Sequence, residues 1–158
     1  MNYHERAIQI AVEAHAGQED RQGQPYILHP LRVMHKVGKH LDTTLSAAAV
    51  LHDVIEDCSP KYERAIGFEM PERVSHLVRL LSNGTPQEWK KLSEEEKEKQ
   101  YFEYVRMIAT DHQAKIIKLA DLTDNLFHPA RRAGWIGHPK SKARYLRAYF
   151  YLQTGEWS

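Results

Sequence analysis

Six residues, His52-Asp53-Val54-Ile55-Glu56-Asp57, carry one imidazole and three carboxylates directly after the apolar run Ala47-Ala48-Ala49-Val50-Leu51. On a continuous helix, His52, Glu56, Asp53 and Asp57 project at about 0°, 40°, 100° and 140°, so all four occupy one broad polar side. Apolar neighbours on the remaining sides imply packing all round and partial desolvation of the carboxylates. Buried charge of this kind is relieved by protonation, by an ion pair or by a metal ion. One reading is a solvated stripe in which Asp53 and Glu56 pair with lysines.

Two further stretches favour a metal. His29 stands in YILHP, just before a helix opened by Pro30, and Asp121 stands in KLADLTDN with Asn125 one turn later. Imidazole and carboxylate together suit Mn²⁺, Fe²⁺ or Zn²⁺, whereas sites built only of oxygen suit Mg²⁺ or Ca²⁺. Neighbouring ligands such as His52 and Asp53 diverge by about 100° on a helix, which suits an octahedral ion with positions left for water.

The elements that must position these groups read as all-α. Apolar residues recur at helical spacing nearly everywhere, and strict alternation is nowhere sustained. A first helix over about residues 3–16 buries Ala7, Ala11 and Ala14 and stops at Gly17. A second, opened by Pro30, carries Met34, Val37 and Leu41 on one stripe, and Asp42 caps a third that contains the acidic stretch. A short segment follows at 61–67. Pro71 opens a helix with Val74, Leu77, Val78 and Leu81 on its apolar face, ended by SNGTP. Ser93 and Glu96 have capping-box spacing for a helix carrying Tyr101, Phe102, Val105 and Ile108, whose charged start KKLSEEEKEK reads as solvated or mobile. Asp111 caps the helix of Asp121, and a Pro/Gly-containing turn leads to a last helix over about 140–153.

Bulk properties narrow the class. A chain of 158 residues fits one domain, and Lys plus Arg 22 against Asp plus Glu 21 points neither to nucleic acid nor to a membrane surface. A lone Cys58 excludes an internal disulfide framework, and with no base assigned beside it the thiol reads as no nucleophile. The start MNYHERAIQIAVEAH carries charge where a signal peptide needs an apolar run, and no stretch approaches the roughly 20 apolar residues of a membrane span. A cytoplasmic setting is expected, with no membrane or nucleic-acid partner and no indicated oligomer.

AHAGQ (14–18), GQPYILHP (23–30), LHDVIED (51–57) and KLADLTDN (118–125) stand in an order and spacing that resemble the HD-domain metal-dependent phosphohydrolases, in particular the hydrolase domain of the RelA/SpoT family and its small stand-alone alarmone hydrolases. The resemblance implies a single HD-type domain over 1–158 and one metal, usually Mn²⁺, held by His29, His52, Asp53 and Asp121. It implies removal of the 3′-pyrophosphate from guanosine tetra- or pentaphosphate (ppGpp or pppGpp), with Glu56 and Asp57 activating water or moving its proton. Asn125 matches an asparagine near the nucleotide sugar, and Arg21 a basic residue near the phosphates. A related phosphohydrolase acting on another nucleotide or a phosphorylated dinucleotide, and a nucleotide sensor without turnover, remain alternatives. No synthetase domain is expected in the remaining length.

Three departures accompany the match. Asp20 stands where the family carries a base-stacking arginine, and is free to accept hydrogen bonds from guanine or to favour another base. Asp124 stands where a histidine is common, a second change expected near the substrate. From Asn125 through Gly155 there is no acid, while Arg131, Arg132, Lys140, Lys142, Arg144 and Arg147 are present. The loop pair Arg131 and Arg132 reads as the phosphate candidate, and Arg144 and Arg147 read equally as partners of the acidic EEE run. His15 reads as a structural hydrogen-bonder, and Trp135, Trp157, Tyr145, Tyr149 and Tyr151 as packing residues.

Overall fold

The computed structural model describes residues 1–158 as helices joined by turns, with one isolated bridge between Glu19 and Pro25. The helices are α1 (Tyr3–Ala14), α2 (Leu28–Val37), α3 (Thr43–Leu51), α4 (Val54–Asp57), α5 (Pro60–Glu69), α6 (Glu72–Leu80), α7 (Pro86–Lys90), α8 (Glu94–Ala109), α9 (His112–Phe127), α10 (Pro129–Arg132) and α11 (Pro139–Thr154). Two short 3₁₀ turns, Gly38–His40 and Ala133–Trp135, complete the chain.

Helix α3 is the central element because its second half has no polar face. Every residue from Ala47 to Leu51 is buried, and the helix packs against α1, α2, α6 and α9. Three consecutive alanines let those neighbours approach closely. Asp42 accepts hydrogen bonds from the Thr44 and Leu45 amides, a cap that contributes about 1 kcal/mol. Helix α9 is the second hub, packing on α2, α8, α10 and α11, and the Asp111 carboxylate caps its start. Residues carried by α2, by the end of α3 and by α9 therefore meet at one place.

Several sequence expectations are corrected. The expected single helix through Asp57 ends at Leu51, and the chain turns at His52 and Asp53 before α4 begins. Across this turn, where both residues keep right-handed backbone angles, His52 Nε2 and Asp53 Oδ2 stand 3.1 Å apart. Helix α2 starts two residues before Pro30, which lies in the first turn, where its missing N–H is still no loss. Its apolar stripe ends at Val37. Leu41 is 93% exposed with a left-handed φ of 52°, because the 3₁₀ turn has redirected the chain. The first helix stops at Ala14 and turns through Gly17, while α5 runs beyond the expected segment.

The acidic start of α8 is largely exposed, as expected of a solvated face, and part of it is paired. Arg144 donates to Glu94 and Glu98, and Arg147 to Glu98, so these two arginines of α11 pair with the acidic start of α8. Helix α7, with a Thr85–Glu88 capping box, was not foreseen. Trp157 packs on Phe102 and Tyr151 as expected, whereas Tyr145, stacked on Tyr101, and Trp135 also line a groove. No helix is long and apolar enough to cross a membrane.

Candidate metal centre and groove

His29, His52 and Asp121 bring one ligand atom each to within 4.8 Å of one another, and all three residues are buried. His29 Nε2 lies 3.1 Å from Asp121 Oδ1, and His52 Nε2 lies 3.5 Å from the same oxygen. Asp53 joins from the turn: its Oδ2 is 3.1 Å from His52 Nε2 and 3.6 Å from His29 Nε2, and it accepts a 2.6 Å hydrogen bond from the Tyr26 hydroxyl. The expected lysine partners of Asp53 and Glu56 are absent from this arrangement. Asp53 faces imidazoles and Tyr26, and Glu56 accepts from the Asn83 amide.

The local backbone explains the aim of each group. His52 Nδ1 bonds the Ala49 carbonyl at 2.7 Å, which turns Nε2 inward, where it is buried without a hydrogen-bond partner. On α9, Lys118 and Asn125 stand one turn before and after Asp121 and donate to its two oxygens, each at 2.7 Å. Helical spacing alone produces this bracket.

Electrostatics require positive charge at the centre of this cluster. Burial disfavours a charged His52, yet Asp53 and Asp121 outweigh burial and hold the imidazole well above its ordinary range. Burial likewise opposes ionisation of Asp121, but Lys118 and the two histidines hold its carboxyl well below the usual range. Two imidazole nitrogens and two carboxylates, with an orphaned nitrogen aimed among them, fit a borderline divalent ion, which supplies that charge without protonating a ligand.

Glu56 and Asp57 follow on α4. Burial, then the negative charge of Asp53, push Glu56 up to about 8 against the opposing Asn83 hydrogen bond. The same two causes push Asp57 up to about 7, although its side chain opens toward solvent at the groove. The Cys58 thiol is raised to about 11 by burial, which disfavours a thiolate.

A groove runs past the cluster in two lobes of about 290 and 360 Å³, which share Arg21, Tyr26, Asp57, Asn125, Arg131, Trp135 and Tyr145. Asp53, Glu56, Lys118 and Asp121 line the larger lobe. Arg131 donates to Asn125 Oδ1 at 2.6 Å and lies over the Tyr26 ring, so a basic group at the groove connects through one amide to Asp121. Arg21 lies over Trp135 and donates to the Gly134 carbonyl. Arg132 is exposed and does not line the groove, so the expected loop pair divides.

The departures noted in the sequence resolve differently from expectation. Asp20 Oδ1 accepts from the Gln22 and Gln24 amides of its own turn, and Oδ2 lies 3.9 Å from Arg131. Asp124 does not line the groove. It is fully buried behind His29, whose Nδ1 is 2.7 Å from its Oδ2. Burial alone would raise the Asp124 carboxyl, but His29, Arg32 and Lys36 hold it far below the usual range. His15 bonds Gln18 and is structural, as expected. Sequence reasoning missed Tyr26, Lys118 and the outer role of Asp124. The available signal was spacing, since each stands three residues from a candidate ligand.

Comparison with known proteins follows the same lines. A family model described as an HD domain matches residues 7–138. A guanosine-3′,5′-bis(diphosphate) 3′-pyrophosphohydrolase of Aquifex aeolicus is 33% identical over 123 residues, covering 77% of this chain and 17% of that protein. The protein named guanosine-3′,5′-bis(diphosphate) 3′-pyrophosphohydrolase MESH1 of Danio rerio is 33% identical over 124 residues, covering 75% of this chain and 64% of that protein. The chain thus spans less than two thirds of either relative. A solved structure, described as a metazoan ortholog of SpoT that hydrolyses ppGpp, superposes with a TM-score of 0.66 at 25% identity, covering 97% of this chain and 93% of that one.

Proposed function

The chain belongs to the HD-domain family, and from that premise we propose that residues 1–158 form one hydrolase domain that removes the 3′-pyrophosphate of guanosine tetra- or pentaphosphate, with Mn²⁺ as its metal. The observation that carries the reading is the convergence of His29, His52 and Asp121, with the His52 Nε2 atom buried and unpartnered among carboxylates. Asp53 is the fourth ligand of the proposal. The activities for which the relatives are named suggest the substrate.

A divalent ion held there supplies Lewis-acid polarisation and lowers the pKa of water. The protein's own groups do the rest. Glu56 and Asp57, whose carboxyls burial and the Asp53 charge raise above the usual range, are the groups of this chain that would exchange protons with water beside the cluster. They take the proton of the attacking water and return one to the leaving sugar oxygen. Arg21 and Arg131 bind phosphate oxygens from the groove wall, and Asn125 keeps Arg131 in register with Asp121. Arg132 has no part in the proposal.

The test is a metal-supplemented panel of nucleotides with separate detection of phosphate and pyrophosphate. The proposal expects pyrophosphate from guanosine tetraphosphate in multiple turnovers. Much faster turnover of another nucleotide would reassign the substrate, and tight nucleotide binding without product would make the domain a sensor.

A further inference from the structure

Helix α9 offers two carboxylates, one turn apart, to the two nitrogens of a single imidazole. Asp121 Oδ1 lies 3.1 Å from His29 Nε2, and Asp124 Oδ2 lies 2.7 Å from His29 Nδ1. The arrangement follows from register. His29, Arg32 and Lys36 occupy one side of α2 at spacings of three and four, and Asp121 and Asp124 occupy one side of α9. Arg32 donates from Nε and Nη2 to Asp124 at 2.8 and 3.0 Å, and Lys36 donates at 3.1 Å.

The burial of these partners is unequal, and the inequality decides what Asp124 is for. The Arg32 and Lys36 side chains are 23% and 30% exposed, so water can satisfy both cations without Asp124. His29 is 1% exposed, and its Nδ1 has no other acceptor. A carboxylate accepting from Nδ1–H leaves the lone pair on Nε2, the tautomer a metal ligand requires. His52 reaches the same tautomer through the neutral Ala49 carbonyl. The two imidazoles therefore differ, and the one backed by a carboxylate is the stronger donor.

We infer that Asp124 is a positioning residue for the metal centre: acting through His29, it fixes the ligating tautomer and sets how tightly the ion is held, while Arg32 and Lys36 temper its charge from the outer side. The inference rests on the metal-centre reading above. It also gives this chain's departure from the common histidine a chemical consequence, since a histidine would supply no anionic acceptor.

The experiment is Mn²⁺ affinity, measured by competition with a chelator, on the full chain as wild type, Asp124→Asn, and the double variant Arg32→Gln/Lys36→Gln. Asparagine keeps an acceptor of the same shape without the charge. Asp124→Asn is expected to bind Mn²⁺ about 10–100-fold more weakly, and the double variant as tightly as wild type or more tightly. Unchanged affinity in Asp124→Asn would overturn the inference. An equal loss in the double variant would also overturn it, because Asp124 would then act only as an anchor between helices. Nitrogen-15 spectra of the wild type loaded with diamagnetic Zn²⁺ supply a readout that needs no variant: His29 Nδ1 is expected to carry the proton, and a metal-bound or unprotonated Nδ1 would refute the assignment. A wild type that binds no divalent ion would instead overturn the metal centre itself, before any substitution is compared.

Discussion

Replacing Lys118 with methionine separates the cost of breaking a buried ion pair from the compensation a metal provides to the same carboxylate. Lys118 Nζ lies 2.7 Å from Asp121 Oδ2, with side chains only 9% and 5% exposed. Methionine preserves most of the stem packing beside Tyr104, whose ring centre is 5.3 Å from Nζ. Removing one partner of a buried pair costs about 3–5 kcal/mol. Asn125 still donates to Asp121, and two imidazoles remain able to take a proton, so the lower figure applies. A loss of about 3 kcal/mol corresponds to roughly 6–12 °C in Tm for a chain of this size. With Mn²⁺ saturating, the ion compensates Asp121, and the loss is expected to fall below about half of that value. Urea unfolding and thermal melts of wild type and Lys118→Met, in chelator and in excess Mn²⁺, measure both losses. Equal losses in the two conditions would refute the reasoning, because Asp121 would then gain nothing from a bound cation.

Tyr26→Phe removes the hydroxyl that donates to Asp53 at 2.6 Å; a hydrogen bond to a charged group is worth about 1.5–3 kcal/mol, so kcat is expected to fall ~10–100-fold with KM nearly unchanged, read by steady-state kinetics. Arg131→Met is expected to raise KM ~10-fold or more, whereas Arg132→Met leaves it within about twofold, because of these two neighbours Arg131 alone lines the groove. Equal effects would contradict that assignment. The hydrogen bonds from Arg73 hold Asp111 below its ordinary 3.8. As pH falls, the unfolded chain protonates first, so the stabilisation is complete above the unfolded value and is lost as pH drops through the folded one. The stability gap between wild type and Arg73→Met should therefore shrink on acidification from about pH 7 to about pH 3 in urea titrations, and a widening gap would reverse the sign.

Much of the scaffold was legible because capping is local chemistry. Asp42, Ser93 with Glu96, and Asp111 each announced a helix start that the chain adopts. The histidine and aspartate set came from the resemblance of four sequence blocks to the HD-domain phosphohydrolases, and the structure brings His29, His52 and Asp121 together. The turn between α3 and α4 was not legible, since no Gly or Pro marks it and helical periodicity continues through Glu56. Both His52 and Asp53 keep right-handed backbone angles there, so the break is slight and no local residue type marks it. The division of Arg131 from Arg132 was hidden for the same reason, whereas the pairing of Arg144 and Arg147 with the acidic run was one of two open readings that packing decided. Charge type is written in the sequence, while the partner that neutralises it depends on how helices pack. Asp124 is the clearest instance, a residue expected at the substrate that packs behind a ligand instead.

The central claim is that His29, His52, Asp53 and Asp121 hold one divalent ion on which pyrophosphate release depends. Metal content and pyrophosphate release from guanosine tetraphosphate, measured together on wild type and His52→Gln, test it most directly. The expected result is about one Mn²⁺ per wild-type chain with turnover, and loss of both in a folded His52→Gln. Equal turnover by metal-stripped wild type, or by His52→Gln, would contradict it.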